Sequence, residues 1–366
     1  MTGRNAAHLL VITSIVFGQE LTPQGEALQL IKQGRFPEAR ESVARLIANA
    51  ADTGAGIPYR ASLLHLLGIA EYNLGRDVEA IRAFETGVQL CERKHARASE
   101  ILVSTLVSLA EVYTSQAHFK EAERTLRRAT EVAGAELPPS HPRLASVFDG
   151  WGLLYLAQGQ MSRAESSFRR ALAILEIALT PSDPAIGAEL GSVASVLLSM
   201  GRRKEALPFI DRSRQILANA LGPNHPETVL ASYNFGVAQL VSAPAEAEKT
   251  LRGAMAAWLT MQPERHLAVV ALLNAIAWAR LRQRDPEGAS SLSAQSLELA
   301  RSLLGPEHPR VMTLLYDRAS LLKAAKRGRD AAAARKEADR IRQAKGYPEP
   351  NRQQHSIDVR ALRGLQ

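Results

Sequence analysis

The residues best placed to do chemistry are histidines held between prolines. Leu221–Val229 reads LGPNHPETV and Leu304–Met312 reads LGPEHPRVM. A histidine in such a run could ligate a metal, move a proton or cap a helix. Ligation needs several donors at set spacing, and neither loop has a cysteine or an acid pattern around it. With a single cysteine, Cys91, no intrachain disulfide and no thiolate zinc cage can form. Gly150-Trp-Gly152 lacks the glycine or lysine that a phosphate-cradling loop requires, and HExxH, GxSxG and Cys-x-x-Cys do not occur. The sequence therefore predicts no catalytic residue, no cofactor and no metal site. The remaining role is punctuation. Gly222 can close a helix with a positive φ, Pro223 blocks its continuation, Pro226 suits the first position of the next helix, and His225 is placed to cap it. Asp183 holds the same place in Pro181-Ser-Asp-Pro184.

These loops recur, and so must the elements between them. The central prolines stand at 139, 181, 223, 263 and 306, and a small residue repeats at Ala39, Ala80, Ala122, Ala164, Ala206, Ala247, Ala289 and Ala331. The steps are 40–43 and 41–42 residues, the mark of a repeat array. Within one unit, Phe148–Ala157 has a helical apolar period that Gln158-Gly159-Gln160 breaks. Ser162 is expected to cap a second helix from about Arg163 to Ala178, with Glu165 as capping-box partner. That helix carries Ala164, Phe168, Ala171, Leu172 and Leu175 on one stripe, and Glu165–Arg169 is an i,i+4 pair that Glu123–Arg127 repeats one unit earlier. Such a helix pair cannot bury its stripe alone, so successive pairs must stack.

Trp151-Gly152-Leu153-Leu154-Tyr155 with Ala164 and Phe168, and Leu67-Gly68 and Leu74-Gly75 with Ala80 and Phe84, resemble the tetratricopeptide repeat signature. The 42-residue step, the Gly-Pro-x-His-Pro loops and Ala206-Leu207-Pro208 resemble the kinesin light chain subclass. The resemblance implies an all-α, right-handed superhelical solenoid of antiparallel helix pairs, seven or eight units over residues 21–345. It also implies a concave groove lined by the first helix of each unit, where a peptide or amphipathic helix of a partner protein docks. The repeat step assigns groove rows containing His65, Asp149, Tyr233, Asn274 and Tyr316, then Trp278, then Tyr72, Leu156, Leu198 and Leu240. The subclass tends to carry asparagine in the first row, gripping a peptide backbone, and Asn274 alone keeps it. Large rings such as Tyr233, Trp278 and Tyr316 suit a binding hot spot.

Charge adds an alternative. The net charge is +8, and residues 317–366 hold 13 Lys or Arg against 6 Asp or Glu. A basic end can bind nucleic acid or an acidic surface through Lys323–Arg363, although interleaved acids and missing aromatic residues favour a solvated helix face. At the other end, Leu9–Phe17 is an apolar block behind Arg4, with Val16 and Gly18 at the two positions a signal peptidase reads. This form predicts residues 1–18 as a secretory signal, cleaved after Gly18, and export to the periplasm or beyond; an ordinary buried first helix in a cytoplasmic chain is the alternative. The block is too short to span a bilayer permanently, so no integral segment is expected in the mature chain. Residues 346–366 read as a flexible basic polar tail.

Overall fold

A computed structural model describes residues 23–52, 56–92, 99–260 and 266–345. The expected signal at 1–18, the tail at 346–366 and the loop proline Pro263 lie outside the described residues.

Sixteen helices occupy the described residues, and they pair into eight units. They are α1 (Pro23–Lys32) with α2 (Phe36–Asp52), α3 (Ile57–Asn73) with α4 (Asp77–Cys91), α5 (Ser99–Ser115) with α6 (Phe119–Glu136), and α7 (Pro142–Ala157) with α8 (Met161–Ala178). There follow α9 (Pro184–Ser199) with α10 (Arg203–Leu221), α11 (Pro226–Gln239) with α12 (Pro244–Leu259), α13 (Leu267–Arg282) with α14 (Pro286–Leu304), and α15 (Pro309–Ala324) with α16 (Gly328–Lys345). No strand occurs among the described residues.

The two helices of a pair do different jobs. In α5, thirteen of seventeen residues are buried, whereas α6 buries only Ala122, Leu126, Ala129, Val132 and Ala133. First helices therefore form an inner layer covered on several sides, and second helices are amphipathic covers with one apolar stripe. The pair closes tightly because the inner helix offers a glycine where the outer one offers a ring. A Cβ on Gly152 would stand 2.5 Å from the Phe168 ring, and one on Gly68 would stand 2.5 Å from Phe84. No other residue type permits that approach without displacement.

Between the helices of a pair, a left-handed residue makes the turn. Gly34, Gly75, Gly159 and Gly201 serve in four pairs, and Ala117, Arg284 and Lys326 take positive φ in three others. The backbone closes behind them, as where Gln160 N donates to Tyr155 O at 2.8 Å. That closure is why the expected cap at Ser162 is not found. The turn finishes at Gln160, so α8 begins at Met161, Ser162 is its second residue, and the cap position has no side-chain bond.

The described residues divide into two compact units, 23–189 and 190–345. In the first, Ala27, Leu28 and Ile31 of α1 join Leu63, Leu66, Ile69, Phe84, Leu109 and Val112 in one cluster, and Leu102, Leu106, Val132 and Val147 carry the core onward. In the second, Tyr233, Leu251, Trp258, Leu272 and Ile276 form one cluster, and Leu297, Val311, Leu315, Leu322 and Ile341 form another.

Candidate functional site

The proline-framed histidines are helix caps. Nδ1 of His141, His225, His266 and His308 each accepts the backbone N–H two residues on, at 3.2, 3.3, 3.2 and 3.1 Å. Asp183 does the same through Oδ1, at 2.8 Å from Ala185 N. Each satisfies one of the donors that a helix start leaves unpaired. Gly222 ends α10 at φ 87° and ψ 164°, a region open essentially to glycine, and Gly305 ends α14 at φ 83°. A ring that accepts a backbone proton at Nδ1 must be neutral there, and burial lowers the pKa of His225, His266 and His308 below the ordinary histidine value. Among the described residues, no group of three or more His, Cys, Asp or Glu converges as a metal site would require.

The first-helix rows are the remaining candidate. Of the ten residues assigned to the groove, His65, Tyr72, Asp149, Leu156, Tyr233, Leu240 and Asn274 are buried within their own units. Leu198, Trp278 and Tyr316 are half-buried.

The buried polar members tie neighbouring first helices together. His65 Nδ1 lies 3.3 Å from Thr105 Oγ1, which itself donates to Ile101 O at 2.7 Å. The threonine oxygen is therefore left to accept, which places a proton on Nδ1. Full burial, helped by the charge of Arg143, holds the His65 pKa down to about 3. Asn274 donates from Nδ2 to Asp317 Oδ2 at 3.1 Å, joining α13 to α15, and Asn234 Nδ2 reaches Ser195 Oγ at 3.4 Å. The one first-row asparagine thus commits one of its two amide hydrogens to the next helix. The repeat step alone could not show this, because a position facing the groove and one facing the adjacent first helix share the same row. The polar side chains opposite, Thr105 and Asp317, were the signal in the sequence.

Within the second unit, Trp278 and Leu281 stand three residues apart on α13, on one face of the helix, and both are half-buried. Trp278 packs at the edge of two core clusters at once, and Leu198 of α9 packs on one of them. Tyr316 is engaged outward, its hydroxyl donating to Asp339 Oδ1 at 2.6 Å.

In and beside the described part of the basic end some charges pair, while Lys323, Lys326, Arg329, Arg335 and Lys336 have no carboxylate partner. Arg301 Nη2 meets both carboxylate oxygens of Glu337 at 2.7 and 2.8 Å, Lys345 meets Glu307 at 2.9 Å, and Arg327 meets Asp330 at 2.7 Å. Among the described residues, no helix is long and apolar enough to cross a membrane.

Profiles of the tetratricopeptide repeat match residues 59–135, 101–177, 190–227 and 269–310, together more than half of the chain. No curated protein matches it in sequence. Solved structures share the fold. The Rap protein complexed with competence and sporulation factor is 13% identical, with 90% of this chain and 89% of that chain covered and a TM-score of 0.61. The Cut9–Hcn1 hetero-tetramer of APC/C is 14% identical, with 93% and 55% covered and a TM-score of 0.61. A Podosopora anserina candidate kinesin light chain with nearly identical TPR-like repeats is 21% identical, with 56% and 97% covered and a TM-score of 0.46.

Proposed function

The chain belongs to the tetratricopeptide repeat family, and from that premise we propose that it is a non-catalytic protein-interaction scaffold. Its ligand is a peptide or amphipathic helix of a partner protein, held against the first helices of the second unit. The observation that carries this reading is the half-buried apolar face of Trp278 and Leu281, with Leu198 half-buried on the same core cluster. An indole there offers a large apolar area at low entropic cost, as an anchor for another chain requires. A similar fold in a Rap protein is found complexed with competence and sporulation factor, which supports a helical array of this kind as a partner holder.

Panning a random displayed peptide library on the full chain tests the reading. Enriched peptides should carry apolar anchors at helical spacing, and their affinity should barely change between low and moderate salt. Absence of enrichment, or affinities that collapse with salt, would contradict it.

Export through residues 1–18 belongs to the same proposal, and it places the partner outside the cytoplasm. Intact-mass measurement of cell-expressed protein should give a species beginning at Gln19; a cytosolic species beginning at Met1 would refute it.

A further inference from the structure

The first unit has an edge that the groove rows do not use. Trp151 and Tyr155, four residues apart on α7, stack at 5.5 Å with 28° between their planes, and both are half-buried. The indole is held in place, since Trp151 Nε1 donates to Thr130 Oγ1 of α6 at 3.0 Å. Each ring carries a guanidinium. Arg127 of α6 lies 6.0 Å from the Trp151 ring centre, and Arg163 of α8 lies 5.6 Å from the Tyr155 ring centre. Arg163 is also fixed by Gln160, to which Nη1 donates at 3.0 Å. The hollow between α6, α7 and α8 has a volume of about 500 Å³, and a second of about 640 Å³ adjoins it along α6, sharing Glu123 and Arg127.

The charges along this edge are unbalanced. Lys120, Arg124 and Arg127 share one face of α6 at i, i+4 and i+7. Arg127 is paired with Glu123 at 2.6 Å. Among the described residues, no carboxylate pairs with Lys120, Arg124 or Arg163, and all three are exposed. An arginine stacked on a ring has already lost much of the side-chain freedom that binding would cost it, so its donors are presented ready-made.

We propose that this edge, built from Lys120, Arg124, Arg127, Trp151, Tyr155 and Arg163, docks an acidic segment of a partner protein. Carboxylates spaced along that segment meet the three uncompensated cations, and its apolar side chains lie against the free edges of the two rings. The occupant is a protein segment and not a nucleic acid, because Glu92, Glu123 and Glu131 interrupt the cations along the strip, so the uncompensated charges are discrete points and not the continuous row that tracks a phosphate backbone. The site is separate from the first-helix face of the second unit, so it does not depend on that reading.

Fluorescence anisotropy on the full chain tests the proposal, with a short labelled peptide in which Glu alternates with Leu and Ala, and its Gln counterpart. The Glu peptide should bind and the Gln peptide should bind at least about tenfold more weakly. The double variant Arg124→Glu, Arg163→Glu should weaken the Glu peptide by about tenfold or more while the melting temperature stays put. Equal binding of the two peptides, no binding of either, or an unchanged affinity in the double variant would overturn the proposal. So would a single-stranded oligonucleotide that displaces the peptide at lower concentration through the same two arginines. If Trp278→Ala weakens the Glu peptide and the double variant does not, the peptide sits on the first-helix face; the edge proposal then falls and the groove reading stands.

Discussion

Two sites, one in each unit, use their charges differently. In the second, Glu248 of α12 receives Nε of both Arg252 and Arg280 at 2.7 Å, and the Gln283 amide at 2.8 Å. Because Arg280 lies on α13 and Gln283 caps its C-terminal end, the carboxylate knits one helix pair to the next. In the first unit, Lys120, Arg124 and Arg163 have no carboxylate to neutralise them, and two rings beside them stay half exposed. One repeat can therefore commit its charged positions to cohesion or leave them facing solvent. Where they are committed, the half-buried face nearby is apolar, as at Trp278; where they are left, the edge is basic and aromatic, as at Trp151.

The largest change that would break this comparison strikes the packing common to both units. Phe168→Ala removes the ring over Gly152 and should cost about 3–5 kcal/mol. Hydrogen exchange should show lost protection concentrated in peptides of the first unit; equal loss in 190–345 would mean that the two units are one cooperative body.

Acid should act next, again through the first unit. His65 is held at about 3, below the ordinary 6.5, so the unfolded chain takes up its proton first. Stability is then complete above about pH 6.5 and is lost as pH falls towards 3, on the order of 5 kcal/mol for this one group. The caps at His225, His266 and His308 add loss of the same sign in the second unit. Denaturant melts from pH 7 to 4 should be visibly flatter in His65→Leu, and an unchanged slope would contradict the assignment.

Smaller effects sharpen the contrast. Glu248→Gln should destabilise the chain by about 1–3 kcal/mol, because it leaves two arginines without their shared carboxylate. Acidification alone should approach the same loss. Burial raises the Glu248 pKa, but the hydrogen bonds from Arg252, Gln283 and Arg280 and the charge of Arg280 outweigh it, so the net shift is downward. Its contribution is therefore present above the ordinary carboxylate value and lost as pH falls through the lowered one. Ala117→Gly should do the opposite and stabilise by about 1 kcal/mol, since alanine there holds a φ of 60°. A chemical melt of each variant decides both signs.

Much of the fold could be read from the residues. The alanine step located every second helix, and His225 with Pro226 marked a helix start that the backbone confirms. The within-pair turns were legible where glycine stands, at 34, 75, 159 and 201, and hidden at Ala117, Arg284 and Lys326, whose left-handed backbone is imposed by closure of the pair. The groove rows were harder. Spacing tells that Asn274 and Trp278 lie on first helices, but not that Asn274 donates to Asp317 while Trp278 is only half-buried. The aromatic edge escaped for another reason. Arg127, Trp151 and Arg163 come from three helices, and no single-helix period brings them together.

The account rests most heavily on Trp278 as an anchor for a partner. The direct measurement is thermal melting and affinity for a selected peptide, side by side on Trp278→Ala. An anchor predicts binding weakened by about 2 kcal/mol or more with the fold intact. A filler of the core predicts about 3–5 kcal/mol of lost stability and an unchanged affinity per folded molecule, which would contradict the assignment.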